Sequence, residues 1–114
     1  MKTIVLCGSK EWVRDVTGLI NSQLNISVII KQCDTSYLLD FVPAKKTMRR
    51  ANMLISHISD NTNTNLQLLT IAQCYDVPVV GVQDEGVPPR YLPLVDVLID
   101  SNCEGLIDII TQWI

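Results

Sequence analysis

Thr3-Ile4-Val5-Leu6-Cys7-Gly8-Ser9-Lys10-Glu11-Trp12 decides the fold. A short β-branched run stops at a Gly-Ser pair, the pattern of a buried strand. From Glu11 onward the apolar residues fall at Trp12, Val13, Val16, Leu19, Ile20 and Leu24. Spacings of three and four draw one stripe on a helix. Gly18 weakens that helix by about 1 kcal/mol relative to Ala. Asn25 ends it, and the change of period then repeats down the chain.

Ile26 to Ile30 reads as a second strand. Residues 32–43 are irregular: Asp34-Thr35-Ser36 offers a turn or cap, Tyr37-Leu38-Leu39 an apolar turn, and Pro43 sets the next start. Ala44 to Asn52 reads as a short basic helix, with Met48 and Ala51 inward and Lys45, Lys46, Arg49 and Arg50 outward. Met53 to Ile58 is the third strand. Seven polar residues follow, Ser59 to Asn65, and then a helix from about Asn65 to Tyr75 with Leu66, Leu69, Ala72 and Gln73 on one face. Pro78 to Val82 is the fourth strand; a leading Pro is tolerated there. Asp84 to Pro93 is a loop stiffened by prolines, and Val95 to Ile99 the fifth strand. Asp100-Ser101-Asn102 caps a closing helix carrying Leu106, Ile107, Ile110 and Trp113. Apolar strands alternating with helices imply a parallel sheet covered on both faces. The expected fold is α/β: a doubly wound, Rossmann-like or flavodoxin-like sheet of five strands in the order 2-1-3-4-5.

The composition agrees. The chain has 114 residues, the length of one domain, expected over 1–114. It is 47% hydrophobic and 18% charged, which excludes a disordered chain. With 9 Lys and Arg against 12 Asp and Glu, the net charge is −3. That balance argues against a nucleic-acid partner. Cys7, Cys33, Cys74 and Cys103 form no CxxC pair, and His57 is the only histidine, so no metal site and no cofactor is expected. Cys7 and Cys74 lie in apolar stretches, where a thiol behaves as a small hydrophobe. These features, with an opening apolar run of only Ile4 to Cys7, read as a reduced cytoplasmic protein without a signal peptide or membrane span.

Ligands of doubly wound sheets bind at the carboxyl ends of the strands, where strand order reverses. Three loops meet there. Gly8, Ser9 and Lys10 allow close backbone approach and an anion at a helix N-terminus, or serve only as a plain turn. No GxGxxG or GxxxxGK pattern is present. Asp60, Asn61, Thr62, Asn63, Thr64 and Asn65 offer uncharged donors and acceptors suited to sugar hydroxyls, a base edge or a phosphate; the alternative is a solvated loop with a redundant cap. Asp84 and Glu85 could bind ribose hydroxyls or act in acid–base chemistry, and Arg90 could reach a phosphate; each also reads as an ordinary surface residue. His57 reads as packed rather than catalytic.

The segment Ile4 to Trp12 resembles the opening strand and Gly-Ser loop of nucleoside 2-deoxyribosyltransferase-like proteins. Ala51 to Ser56 resembles that family's strand before the active-site loop, and Asn65 to Val80 the helix and strand that follow. The resemblance implies a nucleoside- or nucleotide-like ligand and assembly as a homodimer or larger oligomer. The family cleaves an N-glycosidic bond with a Glu four positions before the Ala matched by Ala72. That position is Leu68, and its neighbour is Gln67. Neither supplies the carboxylate that a glycosyl ester requires. The expectation is therefore a protein that binds the ligand without turnover, as a sensor or sequestering protein. The alternative is a divergent deoxyribosyltransferase or nucleotide N-glycosidase using Asp60, Asp84 or Glu85. A third reading is an oligomerising interaction module.

Overall fold

A computed structural model describes residues 1–34, 41–58, 63–83 and 93–114. The strands are β1 (Lys2–Gly8), β2 (Val28–Asp34), β3 (Met53–Ile58), β4 (Val79–Gln83) and β5 (Val97–Asp100). The helices are α1 (Lys10–Gln23), α2 (Phe41–Arg49), α3 (Asn63–Cys74) and α4 (Leu106–Trp113). All strand pairs are parallel, in the order β2-β1-β3-β4-β5. The order reverses between β1 and β3, as the alternating pattern requires.

Alternate residues of the central strands feed two cores. Ile4, Leu6, Met53, Ile55, Val80 and Val82 pack against Val13, Val16 and Ile20 of α1 and Leu106 and Ile110 of α4. Val5, Cys7, Leu54, Ile58 and Val79 pack against Met48 of α2 and Leu68, Leu69, Ile71 and Ala72 of α3. The near-continuous apolar strands of the sequence follow from this two-sided burial. Small polar locks hold the amino ends of the strands. Asn52 Oδ1 accepts from Thr3 N at 2.8 Å, and Asn52 N donates back to Thr3 O at 2.8 Å. Asp96 does the same for β4, accepting from Val79 N at 2.8 Å and donating its own N–H to Val79 O at 3.0 Å.

Several boundaries differ from expectation. β2 begins at Val28 rather than Ile26, because Val28 is the residue placed opposite Lys2 at the start of β1. Pro43 lies inside the first turn of α2, where its missing N–H costs nothing. Asn63 and Thr64 belong to α3 rather than to the preceding loop. On α3, Leu68 and Ile71 complete the buried face and Gln73 is exposed; the expected stripe was rotated. β5 starts at Val97. The cap of α4 is Gly105, at φ 81°, with no side-chain bond. Asn102 instead turns the chain before it, accepting from Glu104 N at 3.0 Å. Cys74, read as a small hydrophobe in an apolar stretch, is exposed, whereas Cys7 is fully buried.

Candidate functional site

The carboxyl end of β1 is where the chain places its aromatic chemistry. Gly8 ends β1 and is buried, and Ser9 caps α1. The Ser9 hydroxyl accepts from Trp12 N at 3.2 Å, and Val13 N donates to Ser9 O at 2.9 Å. A capped first turn orients Trp12 back over the strand. There its indole lies against the Gly8 backbone: a Cβ on Gly8 would sit 2.5 Å from Trp12 Cε3 and 3.2 Å from His57 Cβ. His57, near the end of β3, completes the arrangement. Its ring stacks on Trp12 with centroids 5.1 Å apart and planes within 6°. Both residues are half-buried. The strand-order reversal between β1 and β3 thus carries a stacked aromatic pair beside the N-terminus of α1.

The opposite face of β3 presents a different feature. Ser56 is fully buried, and among the described residues its Oγ has no hydrogen-bond partner. Its register neighbours are Cys7 on β1 and Gly81 on β4, so three small residues cross adjacent strands in one row. At Gly81 the space a Cβ would need is taken by Ile58 Cδ1 at 2.8 Å and Leu98 Cδ2 at 2.9 Å. An orphaned hydroxyl in such a setting costs about 1–3 kcal/mol.

Of the expected ligand residues, Gly8, Ser9 and Lys10 stand together at this edge. Ser9 is already engaged as the helix cap, and Lys10 is exposed at the first helical position. Asn63, Thr64 and Asn65 form the first turn of α3, whose N-terminus follows β3 at the same edge. Asp60, Asn61, Thr62, Asp84, Glu85 and Arg90 lie outside the described residues. At the position where the resembled family carries its Glu, Leu68 is 1% exposed in the core between α3 and the sheet, and Gln67 faces solvent. The sequence reading missed Trp12 as a site residue, since its place in the apolar stripe reads as core. The signal available was Gly8, which leaves room for a large ring one helical turn onward.

Among the described residues, no group of three or more His, Cys, Asp and Glu residues could hold a metal ion. None of the helices described is long and apolar enough to cross a membrane. Burial pushes the Cys103 thiol upward from its ordinary value, in the turn between β5 and α4.

No protein-family model and no curated protein sequence matches the chain. Solved structures do. The chemotaxis protein CheY4 of Vibrio cholerae is similar over 100% of both chains, with TM-score 0.70 and 12% identity. A LuxR-family DNA-binding response regulator from Staphylococcus aureus is similar over 99% of this chain and 98% of its own, with TM-score 0.69 and 15% identity. A 3-dehydroquinate dehydratase-like protein from Bifidobacterium longum is similar over 98% and 97%, with TM-score 0.57 and 11% identity. At such identities the likeness is one of fold: an α/β, doubly wound, flavodoxin-like sheet with helices on both faces.

Proposed function

We propose that the chain binds a nucleoside- or nucleotide-like small molecule at the carboxyl edge of its sheet and does not turn it over. The observation that carries this reading is the Trp12–His57 stack beside Gly8 at the reversal of strand order. A planar base extends an aromatic stack, and base–aromatic stacking contributes about 1–3 kcal/mol per base. The first turn of α1 stands beside it for an anionic group, with Lys10 at its start. The sequence at the start of α3, Asn63-Thr64-Asn65, is of the amide and hydroxyl types that suit ribose. The resemblance to nucleoside 2-deoxyribosyltransferase-like proteins points to the same ligand class. Leu68 in place of a carboxylate removes the nucleophile that such cleavage needs.

A panel of nucleosides and nucleotides, followed by thermal shift, Trp fluorescence and base release, tests the proposal. Stabilisation with quenching, lost in Trp12→Ala and without free base, is the expected outcome. Release of base that disappears in Asp60→Asn would replace it with the enzymatic reading. The absence of a shift with every compound would overturn it in favour of an interaction module.

A further inference from the structure

Away from the carboxyl edge, α2 and the early parts of β1 and β2 enclose a groove of about 720 Å³. Thr3 and Ile29 contribute from the strands, together with Lys31; Lys46, Arg49 and Arg50 contribute from α2 and the residue after it. Four of the chain's nine Lys and Arg residues therefore face one concavity on a molecule of net charge −3. Among the described residues no carboxylate lines the groove and none of the four cations is ion-paired.

The fold does not require this convergence. Lys46 and Arg49 stand one helical turn apart on α2, a like-charge spacing that destabilises a helix by about 0.2–0.5 kcal/mol. The carbonyl end of α2 offsets part of that repulsion for Lys46 and Arg49. It does not account for Lys31, which arrives from another element. The groove is also held in shape. Arg49 Nη2 donates to the Tyr75 hydroxyl at 3.4 Å, with the guanidinium carbon 5.4 Å from the Tyr75 ring centroid. The paired hydrogen bonds between Thr3 and Asn52 fix the turn that follows Arg50 against β1.

We infer that this groove is a second, separate binding site, for the oligophosphate group of a small molecule. Two guanidinium forks and two ammonium groups match the several oxygens of a di- or triphosphate. The volume lies in the range of small-ligand sites, about 300–1,000 Å³. The acidic balance of the whole chain, with four of its nine cations gathered here, opposes a long polyanion that would need an extended basic track.

Calorimetric titration of the full chain tests this, with inorganic triphosphate, a nucleoside triphosphate and a single-stranded oligonucleotide as probes. Inorganic triphosphate is expected to bind saturably, and more weakly as salt rises. Lys31→Gln and Arg50→Gln, both at exposed positions, are each expected to weaken it about tenfold. Lys45→Gln makes the same charge change on α2 outside the groove lining, and is expected to leave binding within about twofold. Triphosphate that fails to saturate, or an equal loss in Lys45→Gln, would overturn the inference. So would binding confined to the oligonucleotide. Unphosphorylated nucleosides report on the carboxyl edge alone, and Trp12 lies outside the groove lining, so triphosphate binding kept in Trp12→Ala but weakened in Lys31→Gln lets the two sites succeed or fail separately.

Discussion

Gly8 shows how one residue sets a site. The Trp12 indole occupies the space a side chain would fill, and a Cβ there would approach Cε3 to 2.5 Å. Gly8→Ala is expected to displace the indole from His57 and to cost about 1–3 kcal/mol, as overpacking does. Urea unfolding reads the loss, and a changed Trp emission reads the displacement; an unchanged spectrum and midpoint would exclude the close packing described. Cys103 gives a pH prediction. Burial holds its thiol above the ordinary value, so the folded chain keeps the proton longer than the unfolded one. Its contribution is fully present below the ordinary thiol value and is lost as pH rises through the raised one. Stability is thus expected to fall on the alkaline side, and Cys103→Ala to flatten that slope. Parallel slopes for the two proteins would contradict it.

Among the elements, β5 depends most visibly on a single side chain. It is only four residues long and pairs on one side, with β4. Asp96, just before it, accepts from Val79 N at 2.8 Å and returns its own N–H to Val79 O. Hydrogen bonds to charged groups contribute about 1.5–3 kcal/mol, so Asp96→Ala is expected to cost about that much. Hydrogen exchange should then quicken in β5 and the start of β4 before it does in β1; protection that falls evenly across the sheet would count against this role. The elements also show what was legible. The periods of three and four in Glu11–Leu24 and the β-branched runs located most strands and helices, because burial on one stripe or on two faces writes itself directly into apolar spacing. The start of β2 was not legible, since Ile26 and Ile29 are as apolar as Val28, yet are 47% and 39% exposed. Only the pairing with β1 selects the register.

At the scale of the whole molecule, the five strands leave β2 as one edge of the sheet. Ile29 and Lys31 alternate along its α2-facing side, and both are exposed. A charge in an exposed edge strand opposes pairing with a second sheet. Lys31→Ile is expected to promote self-association, seen as a rise in mass by light scattering with protein concentration. A mass independent of concentration in that variant would show that Lys31 has no such role. The fold likeness to CheY4 and the LuxR-family regulator spans the full chain.

By itself, the sequence determined a parallel, doubly wound sheet and the order of its strands. It did so because two-sided burial and right-handed crossovers leave few arrangements for strands and helices that alternate. It also placed Leu68, not a carboxylate, at the position that the resemblance matches to a Glu. Tertiary structure alone decided which residues meet. Trp12 and His57 are separated along the chain by 45 positions (57 − 12) and by two strands' worth of pattern, and they stack only because β1 and β3 are neighbours. Lys31 joins Lys46, Arg49 and Arg50 only because α2 packs beside the edge of the sheet. Periodicity records which side of an element is buried; it holds no information on which exposed side chains of different elements share a groove.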